Sequence, residues 1–260
     1  MTFSLDELKH IEIGILNYID QVCRKNDIRY YLAYGTLLGA VRHRGFIPWD
    51  DDIDVCMKRE DYNRFIDVTQ KDTGQYRLFH FSNVSGAYNE YAKIVDHRTR
   101  ILYSPAKVVN EDGVWVDVFP LDYIPKYAKI IRPIIKACRT IRILSVQDRF
   151  PSKHSKLLYP AWLIGRLFGY KIFLKIIDFL SQTAHSGNQI GVMASISIQY
   201  SRKYAFPAKW FEESVMVDFE GGQYPAPKDY DKYLEFLYGD YMKLPPEEKR
   251  LSHPMEAYWR

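Results

Sequence analysis

The residues that could do chemistry begin with Asp52 and Asp54, in the run WDDDIDV at 49–55. The β-branched residues around them predict a strand over 53–57. Side chains alternate along a strand, so the two carboxylates share one face while Ile53 and Val55 turn into a core. Two carboxylates on one face repel each other unless a cation lies between them. Oxygen ligands of this kind suit Mg²⁺ or Mn²⁺, which bind through one or two carboxylates plus substrate phosphates. Asp117 is the third candidate, an acid inside the otherwise apolar run 114–119. A carboxylate there is costly to bury unless it is paired or metal-bound. Three such groups could hold one or two metals for an in-line displacement at phosphorus. Asp50 and Asp51 read either as part of the site or as a solvated loop.

Upstream, Gly35-Thr36 sits 16 residues before Asp52, as a turn opening a short helix over 37–42. Glycine lets a phosphate approach the backbone, and a hydroxyl with helix N-terminal amides binds its oxygens. The same pair also reads as an ordinary helix start. Arg42, followed by His43 and Arg44, suits a diphosphate or charge developing during transfer, or else a solvated basic turn. Lys93 lies on a predicted strand, sharing a face with Tyr91 and Val95. A lysine inside a sheet needs a phosphate or carboxylate partner. His253, in a proline-flanked loop, is placed either to touch phosphate or to serve the loop itself.

These side chains need elements to hold them. Ser4 and Glu7 have the spacing of a capping box, and apolar residues recur at helical spacing from Leu5 to Val22, so an amphipathic helix opens the chain. Strands are expected over 28–32, 53–57, 76–82, 91–96, 101–103 and 115–119, with a helix over 61–69. The fold class expected is α+β. Residues 127–182 read as two helices broken near 151–160. On the first, Ile130, Ile131, Ile134, Cys138 and Ile141 form the apolar side, opposite Lys129, Arg132, Lys136 and Arg139. The last 75 residues, rich in Tyr, Pro and Gly, read as turns and short helices such as 230–238. This divides the chain into a core at 1–125, a helical insertion at 126–185 and a segment at 186–260 that packs back on the core.

The 260 residues carry a net charge of +4, unevenly spread. Residues 126–180 hold 12 Lys/Arg against two Asp, a balance of +10, which leaves −6 for the remainder. Basic helices with an apolar side fit a membrane surface, or a subdomain whose basic face meets solvent. No recognised nucleic-acid motif accompanies the charge. Three separated cysteines support neither a disulfide framework nor a zinc knuckle. The first residues lack the pattern of a secretory signal, and no stretch reaches the length of a membrane span. A cytoplasmic protein is expected, peripheral at the inner face of the membrane.

YYLAYGTLLGAVRHRGFIPWDDDIDV at 30–55 closely resembles the signature of the LicD family, and more distantly the fukutin proteins of animals. The likeness continues in YAKIVDHRT at 91–99, GVWVDVFPLD at 113–122 and YGDYMKLPPEEKRLSHP at 238–254. It implies a phosphotransferase of nucleotidyltransferase fold, a mixed sheet flanked by helices with the basic helical insertion. Such enzymes move phosphocholine from CDP-choline to a sugar hydroxyl and release CMP; fukutin-like relatives use CDP-ribitol. The acceptors are cell-surface glycans such as lipopolysaccharide or teichoic acid precursors, often lipid-linked at the cytoplasmic face. The resemblance marks Asp52, Asp54 and Asp117 as metal ligands and Gly35 and Thr36 as the phosphate turn. Asp117 is the expected general base. A choline headgroup also calls for aromatic rings, with Trp49, Trp115 and the Tyr-rich tail as candidates. Two other readings stay open: a transferase that attaches a nucleotide to a small molecule or glycan, and a binding protein on the same fold without catalysis.

Overall fold

A computed structural model of the chain describes residues 2–102, 112–147, 149–150, 155–193, 205–250 and 256–260. His253 and the end of the strand expected at 101–103 lie outside them. The described residues mix seven α-helices with a sheet in which one strand pair is parallel and the others antiparallel. The chain divides into two compact units. One comprises the residues up to Val84, Tyr91–Leu121 and the residues from Lys209 on; the other comprises Ser85–Glu90 and Asp122–Ala208.

In the first unit, helix α1 (Leu5–Lys25) starts at the capping box. The Glu7 N–H donates to Ser4 Oγ at 3.3 Å, and the Ser4 N–H donates to the Glu7 carboxylate at 2.8 Å. Its buried face carries Leu8, Ile11, Ile15, Leu16 and Ile19. Five strands follow, in the spatial order β1 (Tyr31–Leu32), β2 (Asp54–Lys58), β6 (Trp115–Tyr123), β4 (Ala92–Asp96) and β3 (Tyr76–Phe79). Only β2 and β6 run parallel. The expected strand at 28–32 contracts to two residues, and that at 115–119 extends through Pro120 to Tyr123. Strand β5 (Thr99–Leu102) pairs instead with β11 (Glu256–Trp259).

Helix α2 (Tyr34–His43) takes in Gly35 and Thr36, which lie in its first turn rather than before it. It ends at Arg44, whose φ of 57° is left-handed. A hairpin of β9 (Ser214–Phe219) and β10 (Gly222–Pro227), not expected from the sequence, secures that end. Its turn residues Glu220 and Gly221 have φ of 47° and 76°, the primed geometry that matches strand twist. The Glu220 N–H donates to the Arg44 carbonyl at 3.0 Å, and its carboxylate accepts from the Phe46 N–H at 3.0 Å. Helices α3 (Arg59–Thr69) and α7 (Tyr230–Tyr238) complete the unit.

The second unit holds α4 (Ala128–Ser145), α5 (Tyr159–Phe168) and α6 (Tyr170–Ser181). The expected second helix is thus broken at Gly169, whose φ is 73°. Ile131, Ile135 and Cys138 pack against Phe173, Ile177 and Met193. Ile130 and Ile134, expected on the apolar side, are exposed. The doublets 130–131 and 134–135 offer two stripes one residue apart. The stripe chosen is the one that brings Arg142 to Glu90, with an ion pair of 2.7 Å. The end of β6 pairs with β7 (Gln189–Gly191), which pairs with β8 (Phe206–Pro207).

Gly39 is where the loop after α2 lies closest to the helix. A Cβ there would overlap the Gly45 carbonyl oxygen and crowd the Ile47 amide, both backbone groups with little room to shift. Gly39→Ala is expected to cost on the order of 2–4 kcal/mol of stability, measured by urea unfolding against wild type.

Candidate active site

Asp54 is the first residue of β2 and stands opposite Asp117 of β6 in parallel register. Three backbone bonds hold this arrangement. The Asp54 N–H donates to Thr36 Oγ1 at 2.7 Å, the Ala33 N–H donates to the Asp54 carbonyl at 3.0 Å, and the Asp117 N–H donates to the Ile53 carbonyl at 3.0 Å. The start of α2, the start of β2 and the middle of β6 are thereby tied at one point. Residues 51–54 alternate in burial: Asp51 and Ile53 are buried, while Asp52 and Asp54 are half-buried. The pleat thus extends one step before the strand and gives Asp52 the aspect of Asp54.

Lys93 of β4 lies across from Asp117. Its ammonium is 3.6 Å from Asp117 Oδ1 and 3.2 Å from the centroid of the Trp115 ring. The side chain is only 8% exposed, so a carboxylate and a ring face supply the environment that water would otherwise give it. Asp117 Oδ1 is buried and accepts no hydrogen bond.

This crowding shifts the carboxyls. Burial raises Asp54 well above the ordinary carboxylate range, and Asp52, Asp117 and Asp50 push the same way, with Lys93 opposing them. Burial also brings Asp117 up to about 6; Lys93 pulls against it and Asp52 adds to it. Glu12, on the buried face of α1, is 0% exposed, and neither of its side-chain oxygens has a hydrogen-bond partner. Burial raises it well above its ordinary value, reinforced by the charges of Asp52, Asp51, Asp117 and Asp54. The sequence held a signal for it: Glu12 interrupts the apolar row Leu8–Leu16 at spacings of four.

The other expected site residues fall in different places. The Thr36 hydroxyl is buried and accepts from the Asp54 backbone. A Cβ on Gly35 would stand 2.8 Å from Asp50 Oδ2, so a carboxylate already lies beside the first turn of α2, where negative charge is favoured. Arg42 is at the far end of α2, about 9 Å along the axis from Thr36 at 1.5 Å per residue. Its guanidinium donates to His43 Nε2 and to the Tyr241 carbonyl, both at 2.9 Å. Asp52, Asp54, Asp117, Lys93, Gly35 and Thr36 therefore gather at one end of the sheet, and Arg42 stands at the opposite end of α2.

Among the described residues no group of three or more His, Cys, Asp or Glu side chains converges as a ready-made metal cage. A divalent ion held by one or two carboxylates and by substrate phosphates does not need one. The hard oxygens of Asp54 and Asp117, and the buried Oδ1 that accepts no hydrogen bond, fit such an ion.

A protein-family profile described as LicD/FKTN/FKRP, nucleotidyltransferase domain, matches residues 27–133. The lipopolysaccharide cholinephosphotransferase LicD of Haemophilus influenzae is 35% identical, over 98% of this chain and 98% of its own. The ribitol 5-phosphate transferases FKRP of Mus musculus and Homo sapiens are 46% identical over 44 residues, 17% of this chain and 9% of theirs.

A carboxyl whose pKa is higher folded than unfolded binds more protons in the native state between the two values, so stability falls as pH rises through that window. For Asp117 the window runs from 3.8 to about 6, and Asp54 and Glu12 act with the same sign. With divalent ions chelated, the thermal midpoint should drop as pH is raised from 4 toward 7, reflecting a stability loss on the order of 3 kcal/mol for Asp117. Glu12→Gln should raise the midpoint at pH 7 and flatten this dependence. A midpoint that rises with pH across the window would contradict the crowding.

Proposed function

The chain belongs to the LicD family of phosphotransferases, and on that premise we propose that it transfers phosphocholine from CDP-choline to a sugar hydroxyl of a lipid-linked glycan of the lipopolysaccharide type. The observation that carries this reading is the parallel pairing of Asp54 with Asp117 beside a buried lysine. The proposal places the catalytic unit in the nucleotidyltransferase fold. It is supported by a Gly-Thr helix start, two acids at a strand entrance and a third acid on the neighbouring strand.

In this reading Asp52, Asp54 and Asp117 hold Mg²⁺ or Mn²⁺, which when bound neutralises the diphosphate of the donor. Asp117 also takes the proton of the acceptor hydroxyl, a role that competes with its ligation of the metal. The hydroxyl oxygen forms a bond to the phosphorus that carries choline. The bond from that phosphorus to the bridging oxygen breaks, and its electron pair leaves with CMP. Lys93 keeps Asp117 in place and offsets part of the negative charge around it. Phe119, two residues along β6 from Asp117, has the Tyr91 ring centroid at 4.4 Å and that of Tyr34 at 5.5 Å. These half-buried rings are the aromatic faces we assign to the trimethylammonium group.

The test is a panel of CDP-alcohols assayed for CMP with a glycan acceptor, with and without Mg²⁺. CDP-choline should be the preferred donor, with free CMP as product and turnover lost on chelation. Asp54→Asn and Asp117→Asn should each lower kcat by about 10²-fold or more, with folding confirmed by circular dichroism. A nucleotide attached to the acceptor would replace this reading with nucleotidyl transfer. Phe119→Ala should raise KM for CDP-choline more than it lowers kcat.

A further inference from the structure

The second unit turns apolar side chains outward on a scale that folding does not explain. Among the described residues, 13 of the 19 exposed large apolar side chains fall between Tyr127 and Phe179. Leu157 is 89% exposed, Leu167 77%, Phe179 71%, Ile130 70% and Phe168 60%. Helix α5 is the clearest case. Its sequence YPAWLIGRLF has one charge, and only Gly165 is buried. That glycine explains how α5 is held: a Cβ there would overlap Ser145 Cβ and the Ile141 carbonyl oxygen of α4. Close contact at one small residue leaves the large ones facing out. On α6, Phe173, Leu174 and Ile177 enter the core, while Ile172, Ile176 and Phe179 form a second, outward stripe.

Exposed cations accompany this surface. Lys129 precedes Ile130, Lys156 precedes Leu157, Arg166 precedes Leu167 and Lys175 precedes Ile176, and all four basic residues are exposed. Large apolar side chains flanked by Lys and Arg suit a boundary between hydrocarbon and anionic headgroups, where the stems of the basic residues lie along the apolar surface. A surface built for a second protein chain would be depleted of lysine instead. Helix α5, at 10 residues, is about 15 Å long and cannot cross a bilayer, and no described helix is long and apolar enough to do so.

We propose that the outward face of α5 and α6, with Ile130 of α4, docks in the plane of an anionic bilayer, with Leu167, Phe168 and Phe179 inserted among the acyl chains and Lys129, Lys156 and Lys175 at the headgroups. It goes beyond the transfer chemistry, and the experiment keeps the two apart.

The full chain is floated with vesicles of phosphatidylcholine alone and with phosphatidylglycerol added. It should float with the anionic vesicles, less at high salt, and weakly with neutral ones. The double variant Leu167→Asp/Phe168→Asp should partition at least about tenfold less, with an unchanged thermal melt because both sites are exposed. Lys129→Glu/Lys175→Glu should abolish the preference for anionic vesicles. Both should keep wild-type CMP release with a soluble acceptor, so a failure of the transfer reading would not alter the flotation result. Equal flotation of wild type and Leu167→Asp/Phe168→Asp would overturn the proposal. So would a wild-type dimer in light scattering that this variant splits while neither protein floats.

Discussion

Everything in the first unit is arranged around a repulsion. Asp54 and Asp117 face one another across two strands, Asp52 shares their aspect, and one lysine stands against them. Carboxylates on neighbouring strands repel, and burial together with that repulsion raises both Asp54 and Asp117. The backbone must therefore hold what the side chains oppose. The bonds from Thr36, Ala33 and Ile53 do this locally, and the hairpin at Glu220 does it from outside by gripping both ends of the turn at Arg44–Phe46.

The same crowding is the source of the chemistry proposed. A site that destabilises the chain when empty is the one that gains most when a cation enters, because each carboxylate then exchanges a repulsion for an attraction. Burial keeps water from screening the charges and raises Asp117 above its ordinary value. Glu12 adds to the field from α1 without a hydrogen-bond partner of its own. A carboxyl kept in that position has no structural merit as a packing group, since a methyl-bearing residue of similar size would fill the helix row at no electrostatic cost.

Much of this was legible in the residues, and the exceptions have physical causes. Alternation placed Asp52 and Asp54 on one face, and the need of a buried lysine for a counter-charge anticipated the pairing of Lys93 with a carboxylate. Neither inference required long-range knowledge. Thr36 was harder: that its hydroxyl accepts from the Asp54 amide depends on the arrival of β2 beside it. Arg42 was assigned by charge; that its guanidinium also donates to the Tyr241 carbonyl depends on how the distant tail returns. The hairpin was missed because its turn is Glu-Gly rather than Asn-Gly, a weaker hairpin signal. On α4, Ile131, Cys138 and Ile141 pack inward as expected, whereas Ile130 and Ile134 are exposed because paired isoleucines fit two stripes; the inward stripe also carries Arg142 to Glu90, 52 residues away in sequence.

The charge asymmetry links the two halves of the argument. Residues 126–180 carry +10, and the rest of the chain −6. A CDP-alcohol is an anion, and the carboxylate cluster repels it as much as it repels itself. In the proposed reading a divalent ion would reverse the local sign and so admit the donor. An anionic bilayer, the partner proposed for the helical unit, would present the same difficulty, and there the positive charge would come from that unit's own lysines and arginines. The two proposed partners, a nucleotide and a lipid surface, are both negative, and each proposal meets its partner with a different source of positive charge. In the proposed reading an ion would serve where charge must act directly on the reacting phosphate, and basic side chains would serve where a diffuse attraction suffices.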